Sequence, residues 1–492
     1  MSHNTASAGI AASVAPEDGL KVPVAETNVV ETQIDYDATK EIDEEYLNKP
    51  RYIRFYRGVL CQMLLFGAVS FVGPALADAM SNLGGNGLSD PNLANLAQAL
   101  NYAGTALMTF FGGPLVNKLG VRWACLINAV CFPLTGSASY VVAKGGPGWY
   151  LVFAKIVTGL TNGFVYVSEG AAMLTYPRLH ERGKYLSIWS GMRNSGSILG
   201  GIVALVTNYK TAGAGGVAWS TYIVFMTLES TGWIWALLLT PSERVRRNDG
   251  TRVPISRKIT WAEELRALIK HLSNRRLWLI AAPAFYSFFF LAPFGTYLTV
   301  HFSVRARALS SFLAPTTAVA TTLIYGRFLD LKSLSQKKKA WMGMIIWLVP
   351  QIAALVWVNV KQWTLPKSTA FDYTIDSGLW GRAYFCYLVM FASGYWCQVY
   401  LYWCLSTFST DLKASTRTGG LFRACECVGQ TVSFAIGSNK ARLSALMALN
   451  AALIVPAVIS LAGLISIIPA APAAVDDMVD TEVLEQVDQK HV

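Results

Sequence analysis

Residues 112–124 read GGPLVNKLGVRWA, and residues 326–341 read GRFLDLKSLSQKKKAW. Each stretch leaves an apolar run through Gly, then Leu or Phe, then Asn or Asp, then basic residues. Each closes with an aromatic residue, Trp123 or Trp341, that opens the next apolar run. Gly permits a tight turn and close helix approach, an amide or carboxylate can cap a helix start, and basic side chains hold a short loop on one side of a bilayer. Each stretch therefore reads as the turn between two membrane-crossing helices. One lies in each half of the chain, which suggests an internal repeat.

Outward from these turns, apolar runs recur along residues 51–466. A bilayer core needs about 20 apolar residues per helix. Twelve such runs lie near 57–77, 93–116, 123–143, 149–172, 186–207, 219–240, 277–301, 306–326, 340–360, 380–404, 419–437 and 443–466. The expected fold is all-α and integral to the membrane, with twelve transmembrane helices in two six-helix pseudo-repeat bundles, 55–240 and 277–466. Between them, 241–276 is a basic loop. Its stretch ITWAEELRALIKHL places Trp261, Leu265, Leu268, Ile269 and Leu272 on one helical face, and Thr260 with Glu263 forms a capping box. It reads as an amphipathic helix lying on the membrane surface.

Composition agrees. Of 492 residues, 53% are hydrophobic and 14% are charged, well below the about 25% of soluble domains. A soluble multidomain enzyme, a coiled coil and a collagen are excluded. The net charge of +11 could suggest nucleic acid, but the basic residues punctuate apolar runs and form no basic domain, so no nucleic-acid partner is expected. The two ends are acidic and lack apolar periodicity. Residues 1–54 and 467–492 read as disordered tails. With the N-terminus inside, 27 of the 41 Lys and Arg residues fall on that side, which predicts both termini cytoplasmic.

The turn at 112–124 resembles the loop-2/3 signature of the major facilitator superfamily through Gly113, Leu115, Asn117, Lys118, Gly120 and Arg122. The chain departs from it at Asn117, where the signature carries an acid that helps latch the cytoplasmic side against span 11. An amide hydrogen-bonds there without charge. Two further stretches, QMLLFGAVSFVGPALADAMSNLGGNG and TYPRLHERGKYLSIWSGMRNSGSILGG, resemble the uncoordinated-93-like branch, fungal members above all. The resemblance implies a twelve-span fold whose spans 1, 4, 7 and 10 line a central cavity. It implies two roles: a secondary transporter of a small solute working by alternating access, or a non-transporting partner that regulates or escorts another membrane protein.

Ionisable and polar groups within apolar spans are costly and mark function or specific pairing. Span 4 holds Lys155, Thr158, Asn162, Tyr166 and Glu169 at spacings that put all five on one helical face. Span 10 holds Tyr384, Tyr387, Phe391, Tyr395, Gln398 and Tyr402 at matching spacings. Facing each other, the stripes would line a cavity, with Lys155, Thr158, Asn162, Tyr166, Tyr387, Tyr395 and Gln398 as substrate-binding candidates. Buried helix interfaces are the alternative for both. Glu169 is expected to pair with Lys118, Arg122 or Arg193 as a cytoplasmic gate with Asn117. Glu229, midway along span 6, is the proton-coupling candidate, or else a neutral structural acid. Arg423 and Glu426, three apart in span 11, are expected to pair. Gly196, Gly200 and Gly201 form a small-residue packing face in span 5. No nucleotide-binding loop, metal-ligand spacing or nucleophile–base set is present, so neither cofactor, metal nor enzymatic role is expected.

Overall fold

The computed structural model describes residues 42–468 apart from 178–180, 330, 332, 365–369, 408–411, 440–442 and most of 254–274. Within the described residues the chain makes twelve helical passes. They are α1 (Val59–Ser81), α2 (Pro91–Leu119), α3 (Val121–Ala143), α4 (Gly148–Thr175), α5 (Arg182–Asn208), α6 (Trp219–Glu229 continued by Gly232–Leu238), α7 (Trp278–His301), α8 (Val304–Leu329), α9 (Gln336–Thr364), α10 (Ser377–Ser406), α11 (Leu412–Ser438) and α12 (Leu443–Ser466). Seven of them, α1, α3, α4, α7, α8, α9 and α12, are long and apolar enough to cross a membrane by length and composition alone. Among the others, α2 and α5 are 29 and 27 residues long. Length therefore suffices, and their lower apolarity reflects small and polar residues committed to protein contacts.

Local chemistry sets the helix ends. Gly120, with φ of 81°, joins α2 to α3 in a single residue, and its N–H returns to the Val116 carbonyl at 2.8 Å. The left-handed backbone is what requires Gly in the GGPLVNKLGVRWA turn. Asp90 caps α2 by accepting from the Asn92 N–H at 2.9 Å, with Pro91 at the first helical position. Asp376 caps α10 through the Leu379 N–H at 2.8 Å. Inside α1 the helix breaks at Gly73, ahead of Pro74. A Cβ at Gly73 would sit 2.2 Å from the Phe132 ring of α3, so the break also allows the two helices to close.

The halves repeat one packing pattern. In the first, α2 and α3 pack on α4, and α1 packs on α5; in the second, α8 and α9 pack on α10, and α7 packs on α11. The halves meet along two long seams, α2 against α11 and α5 against α8. The expected small face of α5 is divided between them. Gly196 lies against Phe71 and Ala75 of α1, Gly200 against Ala79, and Gly201 against the Ser311 backbone of α8. The outer surface is apolar: Val130, Phe153, Val206, Leu323, Ile324, Val356 and Ile459 are each at least half exposed. Only lipid makes such a belt stable.

Because the passes alternate, both described ends lie on one face, here the near face. Residues 42–54, expected to belong to a disordered tail, are folded. Asp43 pairs with Arg246 at 2.9 Å, its N–H reaches the Gly250 carbonyl, and Tyr46 is buried. The Tyr46 N–H and the Arg246 guanidinium hold the Asp43 carboxyl below its usual range. Residues 42–57 thus clip onto 241–253. Arg247 caps the α4 end by donating to the Thr175 and Tyr176 carbonyls. Residues 1–41 and 469–492 lie outside the described residues, as do Thr260, Trp261, Leu265 and Leu268 of the expected amphipathic helix. Ile269 is exposed.

Candidate functional site

Helix α4 has two faces. Phe153, Ile156 and Leu160 point out to the apolar surface, while Lys155, Thr158 and Glu169 are buried. The inward face reaches a polar cavity of about 50 Å³ held within the first half, room for a few waters. Its lining includes Asp78 from α1, Asn101 and Tyr102 from α2, Thr135 from α3, Lys155, Thr158, Asn162 and Tyr166 from α4, and Glu229 from α6. The Thr158 hydroxyl donates to the Asn101 carboxamide oxygen at 3.3 Å. Glu229 is 1% exposed, and its Oε2 has no hydrogen-bond partner. Lys155 lies within electrostatic reach of it. Gly136 makes room for this carboxylate, since a Cβ there would stand 2.9 Å from Oε2.

Beyond the cavity, toward the second half, the charged groups form two ion pairs that share one aromatic ring. Arg193 of α5 donates to Asp78 at 3.2 Å and lies 5.6 Å from the Tyr166 centroid. Arg423 of α11 lies 5.0 Å from the same centroid and pairs with Glu426. Gln398 of α10 donates to Glu426 at 2.7 Å, and the Ser287 hydroxyl of α7 donates to it at 3.4 Å. Tyr395 lies within electrostatic reach of Asp78, Arg193 and Arg423. The arginine side chains are 20% and 19% exposed.

Several expected placements change. Glu169 accepts a hydrogen bond from the Ser70 hydroxyl, which also accepts from the Trp189 indole at 3.1 Å. The carboxylate that Arg193 pairs with is Asp78. Glu169 stays within electrostatic reach of Arg193 without forming the expected ion pair. Lys118 and Arg122 flank the α2–α3 turn on the near face, and the side chain of Asn117 lies outside the described residues. Tyr387 does not line the cavity. It is buried with Tyr384 and Phe391 in an aromatic core that α10 shares with Phe294 and Phe302. A core stripe and a cavity stripe have the same period, so spacing alone could not separate them. Asp78 was missed as the partner of Arg193, although an acid inside an apolar run was a visible signal.

Comparison with known proteins places this geometry. The family model described as Major Facilitator Superfamily matches residues 58–434. The chain is 33% identical to the Notoamide biosynthesis cluster protein O' of Aspergillus versicolor over 83% of this chain and 89% of that one. It is 26% identical to UNC93-like protein 1 of Arabidopsis thaliana over 80% and 87%. Among solved structures, a D-xylose-proton symporter superposes with a TM-score of 0.52 at 17% identity, covering 85% of this chain and 98% of that one. A POT family transporter in complex with a thioalcohol-conjugated peptide gives 0.57 at 13%, covering 81% and 95%.

Proposed function

We propose that this chain, which belongs to the major facilitator superfamily as an UNC93-like member, moves a small organic solute by alternating access, with the solute seated between the halves at Tyr166. The observation that carries the reading is the meeting there of Arg193–Asp78 from one half and Arg423–Glu426 from the other. Two ion pairs held on one ring can exchange partners with a polar solute, and such an exchange changes the contacts between halves. That is the differential interaction a conformational cycle requires. Lys155, Thr158 and Asn162 extend the polar surface from this point into the adjoining cavity. Glu169 and the near-face turn with Asn117, Lys118 and Arg122 belong to the gate on that side.

Proton coupling is assigned to Glu229. A buried carboxylate with an unpartnered oxygen, beside a buried lysine and a water-sized cavity, can hold or release a proton without exposure to lipid. The basic near-face loops favour a cytoplasmic location for both termini. The relative named for a biosynthesis cluster and the structural neighbour named for D-xylose guide the choice of solutes toward organic molecules.

The test is flux in vesicles. A deletion strain is screened for altered uptake or tolerance of organic solutes, and the solute found is then loaded with the purified protein in proteoliposomes under an imposed pH gradient. Gradient-dependent movement that disappears in Lys155→Ala and weakens in Tyr166→Leu supports the reading. Movement that ignores both substitutions, or unaltered fluxes with a stably co-purifying membrane protein, overturns it.

A further inference from the structure

The far face, opposite the termini, holds a feature that the transport site does not use. Residues 82–87 read NLGGNG, and Gly84, Gly85, Asn86 and Gly87 all have positive φ, from 51° to 76°. Four such residues in sequence are tolerated only because three are Gly and one is Asn. This backbone turns carbonyls toward a common point instead of along a helix. The loop is held in place by the Tyr222 hydroxyl donating to the Asn86 carbonyl at 3.0 Å and the Val217 N–H donating to the Gly87 carbonyl at 2.8 Å.

The Arg307 guanidinium, from the first turns of α8 in the second half, fills that point. It is 0% exposed. Its Nε donates to the Leu83 carbonyl at 2.7 Å, one terminal nitrogen to Gly215 at 2.7 Å, and the other to Gly84 at 2.7 Å and Leu88 at 3.3 Å. All four acceptors belong to the first half. The contacts extend along the seam: the Val304 and Arg305 N–H groups, which at the start of α8 have no carbonyl of their own helix to bond, donate to Gly213 and Thr211 at 2.9 and 3.0 Å. The Ser311 hydroxyl donates to the Ala79 carbonyl at 2.7 Å. A buried cation is costly unless its donors are met; four of the five guanidinium N–H groups are met here by carbonyls, and the planar fork of Arg fits such convergent acceptors as the ammonium of Lys does not.

We infer that the carbonyls of Leu83, Gly84, Leu88 and Gly215 form a cup that binds the Arg307 guanidinium reversibly, as the seal that closes the far face of the protein. Separation of the halves on this side withdraws the guanidinium and breaks four hydrogen bonds, leaving their donors and acceptors to water. Their simultaneous rehydration makes the contact two-state: seated with all bonds made, or withdrawn with none. The seal's part in a cycle rests on the alternating-access reading above, while the cup itself does not.

Hydrogen–deuterium exchange on the full chain in lipid nanodiscs tests it without any solute. Arg307→Ala should raise exchange at least about tenfold over 82–90 and 211–217. The near-face clip at 42–57 and 241–253 should stay at the wild-type rate. Methylguanidinium added to this variant should restore protection by occupying the cup, and Arg307→Lys, which keeps charge but not the fork, should fall between the two. Unchanged exchange over 82–90 in Arg307→Ala overturns the proposal. An equal rise on both faces, an Arg307→Lys variant as protected as the wild type, or no restoration by methylguanidinium overturns it too. A protein that shows the expected exchange but moves no solute retains the cup and loses the transport reading instead.

Discussion

Arg423, carried by the second half, lies 5.0 Å from the centre of the Tyr166 ring in the first half, and Glu426 one turn along α11 neutralises it. Glu426 is fully buried and also accepts from Gln398. Removing one member of such a pair strands the other, whereas replacing both with apolar groups of similar volume removes the desolvation cost as well. Arg423→Gln is therefore expected to destabilise the protein by about 3 kcal/mol. The double variant Arg423→Leu, Glu426→Leu should lose distinctly less than the two single variants added together. Thermal unfolding in detergent, run as a double-mutant cycle, measures the difference. Strict additivity would show that the two groups are not coupled.

Glu229→Gln removes the titrating group but keeps nearly the same shape. It is expected to leave the fold intact, since Oε2 makes no hydrogen bond to lose. Uptake driven by a pH gradient should fall to the level seen without one, while solute exchange at equal pH continues. Difference infrared spectroscopy gives an independent check, because the signal of a protonated buried carboxyl should shrink in the variant. Gly136→Ala, whose Cβ would press to 2.9 Å from Oε2, should shift that signal without abolishing it.

Much of the architecture could be read from residue order because it rests on local rules. Apolar length, the Gly120 turn and the basic near-face loops each act over a few residues, and they predict twelve passes in two halves. The polar face of α4 was legible for the same reason: Lys155, Thr158, Asn162 and Tyr166 line the cavity from one helical face. What escaped depends on which helices become neighbours. Arg193 could have met Glu169 or Asp78, and only the fold of α5 against α1 brings it to Asp78. The α10 tyrosines share one period whether they face water or Phe294. Arg307 was detectable as a cation inside an apolar run, but its carbonyl partners lie more than 200 residues away in sequence for Leu83, Gly84 and Leu88.

Gly201 of α5 touches α8 so closely that a Cβ would fall 2.3 Å from the Ser311 carbonyl. The contact is between backbones of opposite halves, and no side-chain movement can relieve it. Gly201→Val is expected to wedge the far-face seam apart, at a cost of roughly 1–3 kcal/mol to the closed arrangement. Spin labels at Ser89 and Ile375, exposed far-face positions in different halves, should then report a longer distance. An unchanged distance would mean that the seam repacks locally around the new side chain. The same substitution at Gly213, which has no atom within 4 Å of the Cβ position, should leave the distance unaltered.

Asp372 joins the loop before α10 to the turn between α7 and α8. It accepts from Ser303 at 2.5 Å and Arg305 at 2.6 Å, and from the N–H and hydroxyl of Thr374 at 2.9 and 2.8 Å. Burial raises its carboxyl, but these donors outweigh that effect and hold it below the usual carboxylate value of 3.8. A carboxylate whose folded-state pKa is depressed contributes its full stabilisation above the unfolded value and loses it as the pH falls through the folded value. Above about pH 5 the group should therefore add no slope to stability, and below about pH 4 its contribution should decline. Asp372→Asn should cost roughly 2 kcal/mol at neutral pH, because the charge-assisted bonds are weakened, and the penalty should shrink in acid as the wild type becomes protonated. Unfolding of both proteins across the acid range measures this convergence. A gap between them that stays constant down to the most acid point would show that the charge of Asp372 is not what fastens the loop.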